Sequence, residues 1–453
     1  MSEVFVIGGG LSGAEAAYRA AELGVAVTLY EMRPDKMTEA HKTGLLGELV
    51  CSNSLRSDSP DSAHGLIKQE LEAADSLIME AARATAVPAG GCLAVDRNLF
   101  SEFITAKIKA HPNIRLVYGE VASLSSFDTG AAVVLATGPL TSLTLAEELQ
   151  HILGGQSLYF YDAISPIIDA DSIDYDKAFF ASRYGKGGGD DYLNCPMNAE
   201  EYDLFYNSLI NADKVTVRNF EDEKVFEGCM PIEVMAGRGK DTLRFGPLKP
   251  VGLIDPRNDI KPYAVIQLRA ENVEKTSYNL VGCQTRLKYA EQFSVFRCVP
   301  GLENAEFLRY GSIHRNTYID SPRHLNKDLT LKSMPHVYIA GQITGVEGYL
   351  ESTAMGLLAG IYAARKLRGL DEVLPSRFTA CGSLVGHITG ATADNSSNIQ
   401  ASNAQTSKFQ PSNINFGLLP PLSVPIRDKA KKRQAVVARA LADWKRFIAE
   451  SYR

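Results

Sequence analysis

The chain has 453 residues, of which 45% are hydrophobic and 22% charged. These proportions suit a globular protein with a large core and two or more domains, and they exclude a disordered or fibrous chain. The net charge of −6 argues against nucleic-acid binding over the whole surface, while leaving a local basic patch open.

No apolar run reaches the roughly 18 residues a membrane span needs, so no membrane association is expected. The opening "MSEVFVIGGG" reads directly as a strand and lacks the parts of a secretory signal. Cysteines stand at 51, 92, 195, 229, 283, 298 and 381, with no C-x-x-C among them. That pattern supports neither a metal site nor a dithiol motif, and it predicts reduced thiols in a cytoplasmic protein.

The first predicted elements are the most informative. Val4 to Ile7 is a short buried strand, Ala14 to Leu23 a helix closed by Gly24, and Val25 to Tyr30 a second strand ending at Glu31. Between strand and helix, Gly8-Gly9-Gly10-Leu11-Ser12-Gly13 matches G-x-G-x-x-G. Gly8 would allow the tight turn, Gly10 the approach of a pyrophosphate, and Gly13 close packing of helix on strand. The helix start would hold the phosphates, and Glu31 would accept hydrogen bonds from a ribose. The motif, its flanking elements and the acid together predict a dinucleotide site.

Next comes "GELVCSNSLRSDSPDSAHGLIKQE", a serine-rich loop leading into a helix, with Cys51 inside it. "AAVVLATGP" (131–139) is an apolar strand ending in Ala-Thr-Gly, and "HVYIAGQITGVEGYLESTAMGLLAG" (336–360) is a strand, a glycine turn and a small-residue helix. Both resemble segments of two-dinucleotide-fold flavoproteins, which favours FAD over NAD. The cofactor-binding halves therefore lie at both ends of the chain, with the middle inserted between them. The predicted fold is α/β: a Rossmann-like FAD-binding fold in two parts, 1–189 and 301–453, with an inserted α+β domain at 190–300. Gly187-Gly188-Gly189 is expected to mark the entry to the insertion.

Within the insertion, "VFEGCMPIEVMAGRG" places Cys229 before a glycine- and proline-rich segment carrying Arg238, Lys240, Arg244, Lys249 and Arg257. Such a segment is either a solvated loop or a phosphate-backbone contact. The thiol is packing, a redox group or a nucleophile. The last segment, "RDKAKKRQAVVARALADWKRFIAE", is an amphipathic helix with Val437, Leu441, Trp444 and Ile448 on one face. It is expected to pack through Trp444.

The blocks "ELVCSNSLRSDS", "LIMEAA", "VPAGGCLAVDR", "DTLRFGPLKPVGL", "PGLENAEFLRYGSIHRNTYI", "YIAGQITGVEGYLESTAMGLLAG" and "PSNINFGLLPP" closely resemble the bacterial folate- and FAD-dependent tRNA uracil-5 methyltransferases. The resemblance runs from Met1 to about Leu422. A related flavoprotein family modifies the wobble uridine of tRNA and carries a longer helical C-terminal domain. Cys92, Cys283 and Cys381 depart from the pattern and are read as packing changes.

The resemblance implies 5-methyluridine formation in the tRNA T-loop. Methylenetetrahydrofolate would be the carbon donor, reduced FAD the methylene carrier and hydride source, and NADPH or NADH the reductant. It implies that Cys229 adds to uracil C6 and that Cys51 removes the C5 proton. It carries FAD contacts onto Gly8, Gly9, Gly10, Leu11, Ser12, Gly13, Glu31, Thr137, Gly138, Gly341, Gln342, Ile343, Thr344 and Gly345, with Tyr349 stacking near flavin and folate. Arg238, Lys240, Arg244, Arg286 and Lys288 are candidate RNA contacts. No stable protein partner is implied. Three alternatives stay open: the same chemistry on large-subunit ribosomal RNA, an NADPH-dependent flavin oxidoreductase acting on a small molecule, and a non-enzymatic RNA-binding flavoprotein.

Overall fold

The computed structural model describes residues 3–155, 158–215, 230–390 and 409–453. Its central sheet has six strands in the order Thr330–Leu331, Met334–Ile339, Ala132–Leu135, Glu3–Ile7, Ala26–Glu31, Ile114–Tyr118. All neighbours are parallel except the short edge strand Thr330–Leu331. The strands are almost wholly apolar because helices and loops cover both faces, as a parallel sheet requires. The Met334–Ile339 strand pairs with Ala132–Leu135, so the two ends of the chain share one sheet.

Two helices press together over that sheet. Leu11–Glu22 and Tyr349–Leu367 are both rich in Ala and Gly. A β-carbon at Gly356 would lie 2.1 Å from the Ser12 carbonyl oxygen, so only glycine permits this approach.

A second sheet of six strands is wholly antiparallel, in the order Phe179–Phe180, Tyr192–Met197, Ala264–Ala270, Ser277–Leu280, Ile167–Asp169, Phe307–Arg309. It has its own core, which includes Phe205, Leu268 and Phe296. This sheet draws on a wider span than 190–300. Its first and last segments pair side by side, closing the insertion at its root. The strands Leu158–Ala163 and Ile313–Tyr318 pair just outside it, as the two connections to the nucleotide-binding part. Gly187-Gly188-Gly189 does not mark an entry. It forms the turn between Phe179–Phe180 and Tyr192–Met197, where Gly187 and Gly189 adopt positive φ.

The C-terminal helix Lys429–Ser451 docks as expected: Trp444 is fully buried and its indole N–H donates to the Glu70 carbonyl. The Glu70 carboxylate accepts the N–H groups of Ala380 (2.6 Å) and Cys381 (2.8 Å), at the start of the helix Ala380–Ile388. Three segments thus meet at one residue. Burial pushes the Glu70 carboxyl up to about 7, against the lowering effect of those N–H groups. The folded protein therefore holds this proton more tightly than the unfolded chain. Its stabilising contribution is complete below the unfolded pKa of about 4.3 and is lost as pH rises toward 7. Glu70→Gln is expected to flatten part of the decline in stability between about pH 4.5 and 7. Urea midpoints across that range measure it, and a slope identical to wild type would contradict it.

Candidate functional site

The glycine turn forms as its spacing requires. Gly8 sits at φ +100°, and its N–H closes onto the Tyr30 carbonyl at 2.8 Å. A β-carbon on Gly13 would lie 1.8 Å from the Gly8 carbonyl oxygen, which is why helix and strand can start so close together. Gly10 faces open space. The buried Ser12 hydroxyl has no hydrogen-bond partner among the described residues. A glycine facing open space and an unpartnered hydroxyl, both at a helix N-terminus, fit a phosphate-bearing ligand.

These residues line an open cleft. Its lining includes Gly8, Gly10, Leu11, Ser12, Glu31, Arg33, Thr137, Gly138, Gly341, Gln342 and Tyr349, with Gly8 packed against Thr137 and Gly341 against Ser12. The remaining expected contacts lie behind this lining. Gly9 and Gly13 shape the turn. Ile343 packs in the core, the Thr344 hydroxyl donates to the Gly341 carbonyl (2.7 Å), and Gly345 turns the chain at φ +85°.

Glu31 is already engaged within the protein. Its carboxylate accepts the Gly9 N–H at 2.8 Å and pairs with Arg33 at 2.9 Å. Burial raises its pKa, but Arg33 and the N–H groups outweigh that and hold the carboxyl below its usual range. It remains a charged acceptor, but the Gly9 N–H and three donors of Arg33 already occupy it, so a ribose hydroxyl would have to share or displace one of them. Arg33 in turn reaches Glu48, tying the cleft lining to the loop that carries Cys51.

Beyond the cleft lies a second cavity. It shares a wall with the first, made of Val50, Pro139, Leu140, Gln342 and Tyr349. Its other lining comes from both parts of the chain: Cys51 and Arg56 from the nucleotide-binding part, Tyr192 and Arg269 from the antiparallel sheet, and Gln284 from the loop after Ser277–Leu280. Cys51 therefore stands where the two cavities meet. The serine-rich segment after it is less irregular than expected, because Ser54–Ser57 pairs with Cys92–Val95 before the helix Ala63–Ala73 begins.

The Cys51 loop is held almost entirely by its backbone. The Cys51 N–H donates to the Tyr349 hydroxyl at 2.9 Å. Arg97 donates to the carbonyls of Leu49 and Cys51, the latter at 3.2 Å, and pairs with Glu271 at 2.7 Å. Arg309 donates to the Val50 carbonyl at 2.6 Å. Arg269 donates to the Asn53 side-chain oxygen and to the Ser52 hydroxyl, each at 2.7 Å. Burial pushes the Tyr349 hydroxyl up, so it stays protonated. Tyr349 thus anchors the thiol loop as well as lining both cavities. Sequence reading passed over Arg97, Arg269, Arg309 and Asn53. The available signal was weak: Arg269 is a charge within the apolar strand Ala264–Ala270.

Cys229 lies outside the described residues. Its neighbour Met230 is buried, and the Ile232 N–H donates to the carbonyl of the cavity-lining Gln284 at 2.7 Å. Cys195, Cys283 and Cys381 are buried with thiols pushed up by burial, as packing residues are. Cys92 is half-buried and lines the second cavity. No cluster among the described residues could hold a metal ion, and no described helix is long and apolar enough to cross a membrane.

Of the basic residues, Arg238 is exposed at the end of the helix Ile232–Gly237. Lys240 pairs with Asp203 (2.6 Å), Arg244 with Asp241 (2.8 Å) and Lys288 with Asp213 (2.8 Å). Arg244 also stacks on Tyr263, and Arg286 lies 3.8 Å from Glu233. An RNA phosphate would have to compete with these carboxylates.

A family model described as glucose inhibited division protein A matches residues 3–371. The chain is 56% identical over 438 residues to a protein of Pelobacter propionicus named methylenetetrahydrofolate–tRNA-(uracil-5-)-methyltransferase TrmFO. That match covers 96% of this chain and 92% of the relative. A protein of Geobacter sulfurreducens with the same name is 54% identical, covering 98% of this chain and 99% of that one. Among solved structures, Aquifex aeolicus GidA superposes with a TM-score of 0.68 at 17% identity, over 99% of this chain and 73% of that one. At that identity the likeness speaks for the fold, the two-part nucleotide-binding architecture with its insertion.

Proposed function

The chain belongs to the glucose inhibited division protein A family and, within it, to the methylenetetrahydrofolate–tRNA-(uracil-5-)-methyltransferases, and on that premise we propose that it builds the C5 methyl group of a T-loop uridine in tRNA. FAD and a folate are the cofactors this membership brings. NADPH or NADH is the proposed electron source. When bound and reduced, the flavin supplies one-carbon transfer and hydride chemistry.

The chain's own residues do the rest. The backbone from Gly8 to Gly13 and the Ser12 hydroxyl would receive the pyrophosphate, and Glu31 the ribose. The apolar side chains of Val50 and Leu140, in the wall common to both cavities, would keep water from the reacting centre.

Uracil C5 is a poor nucleophile until a group adds at C6. The Cys229 thiolate would form that C6–S bond, pushing the electron pair to C5 and the carbonyl oxygen. Once C5 has bonded to the incoming carbon, the Cys51 thiolate would take the C5 proton. Loss of that proton lets the incoming carbon part from its carrier, leaving an exocyclic methylene on C5; a hydride then completes the methyl group, the C6–S bond breaks and Cys229 leaves as thiolate. Arg238, Lys240, Arg244, Arg286 and Lys288 are the proposed phosphate contacts. Exposing the T-loop base costs a few kcal/mol of stacking.

The observation that carries this reading is the position of Cys51, lining the second cavity beside Val50 and Tyr349 of the wall it shares with the nucleotide cleft. Purified protein incubated with FAD, NADPH, methylenetetrahydrofolate and unmodified tRNA is expected to yield 5-methyluridine, detected by mass spectrometry, only when the folate is present. Intact FAD binding with no methyluridine in tRNA would overturn the reading. Product in ribosomal RNA instead would replace the substrate.

A further inference from the structure

We propose that Arg309, with Arg97 behind it, is a positioning residue for Cys51: it grips the thiol loop by a backbone carbonyl and keeps the sulfur in a positive field that favours the thiolate. The inference rests on the reading of Cys51 as a reacting thiol.

Its basis is the set of backbone bonds. Three consecutive carbonyls, at residues 49, 50 and 51, accept from guanidinium groups. The Cys51 N–H is used as well, by Tyr349. A loop held at each of these positions has little freedom, so the sulfur is presented in one place. The holding groups come from distant parts of the chain: Arg97 starts the helix Arg97–Ala110, Arg309 ends the strand Phe307–Arg309 at the edge of the antiparallel sheet, and Tyr349 opens a third element. The loop is thus where the nucleotide-binding part and the insertion are locked together.

The two arginines differ in a useful way. Glu271 neutralises much of Arg97 from 2.7 Å. Arg309 makes no ion pair with a carboxylate among the described residues, and its charge is directed at the loop. Burial acts most strongly against both charged guanidiniums, and Arg97 and Arg309 repel one another; Glu271 is the main stabiliser of Arg97 and Tyr349 of Arg309, with Cys51 adding a smaller contribution to each. Arg269 adds a third cation through Ser52. Arg56, Glu347 and Glu351 line the same cavity as Cys51, together with Cys92, Tyr192 and Tyr349. The carboxylates among these oppose the arginines, so the arginine contribution has to be read by difference.

The test is the pH dependence of Cys51 alkylation by iodoacetamide in the FAD-bound protein, followed on the Cys51 peptide by mass spectrometry. Arg309→Gln keeps a donor for the Val50 carbonyl and removes the charge. It is expected to raise the alkylation midpoint by about one unit or more, the scale of an opposite charge at this range. Arg309→Lys is expected to restore most of it. Glu271→Gln unmasks Arg97 and is expected to move the midpoint the other way, which keeps the inference testable if the Gln variant of Arg309 does not fold. Unchanged midpoints in Arg309→Gln, or in Glu271→Gln where that variant must stand in, would overturn it. A wild-type protein that fails to methylate tRNA would instead defeat the proposed function, and the alkylation midpoints would still decide the role of Arg309.

Discussion

Cys229→Ala is expected to leave no detectable 5-methyluridine in tRNA while the purified protein stays yellow with FAD. Without addition at C6, uracil C5 cannot attack an electrophilic carbon. Removing the nucleophile of an enzyme costs about 10⁴-fold or more. Cofactor binding should persist because the cleft is lined by the N-terminal turn and the segments around Thr137 and Gly341, none of them near Cys229 in sequence. Cys51→Ala should behave differently. Loss of a general base costs about 10²–10⁴-fold. Because the adduct on Cys229 cannot be released until the C5 proton leaves, a covalent protein–RNA species should accumulate in this variant. Denaturing gels with labelled tRNA would show it. An adduct in Cys229→Ala and none in Cys51→Ala would exchange the two roles, and wild-type activity in either variant would remove that cysteine from the mechanism.

Gly13→Val carries the second large effect, at the other cavity. The new β-carbon would meet the Gly8 carbonyl oxygen at 1.8 Å, and that partner is backbone, with no rotamer to move aside. The start of Leu11–Glu22 would have to lift from the strand. That would disturb its packing on Tyr349–Leu367 and misalign the N–H groups of the turn. The expected result is protein without flavin absorbance, with stability lowered by about 1–3 kcal/mol or more, the usual scale of overpacking. Valine at Gly10, where a β-carbon meets nothing within 4 Å, should leave the fold intact and obstruct the ligand alone. Equal flavin binding in Gly13→Val and wild type would show that the turn is not the phosphate cradle.

Much of the nucleotide-binding half was legible because its signals are local. Val4 to Ile7, the glycines at 8, 10 and 13, and Glu31 fall within one short stretch, and each position has a steric or hydrogen-bonding reason for its residue type. The amphipathic C-terminal helix was readable for the same reason, with Trp444 on its apolar face and now in the core. The limits of the insertion were harder. Gly187 to Gly189 looked like a boundary, yet glycine marks any tight turn, and this one joins two neighbouring strands of the same sheet. The true root lies where Ile167–Asp169 pairs with Phe307–Arg309. A pairing over that separation leaves no periodic trace in either segment.

By itself the sequence determined the dinucleotide turn, the acid that ends the second strand, the placing of Cys51 in a polar loop, and membership of a folate-dependent methyltransferase family through uninterrupted blocks. The first three are properties of residue type and spacing along a few dozen positions; the last rests on resemblance over most of the chain. Only the tertiary structure decided that the two cavities share a wall next to Cys51, that Glu31 is already held by Arg33 and Gly9, and that Arg97, Arg309 and Tyr349 converge on one loop. The physical reason is that a guanidinium grips backbone carbonyls, and every residue has one. The partners are separated by 46, 259 and 298 positions, and nothing in the local pattern of either partner names the other until the chain has folded.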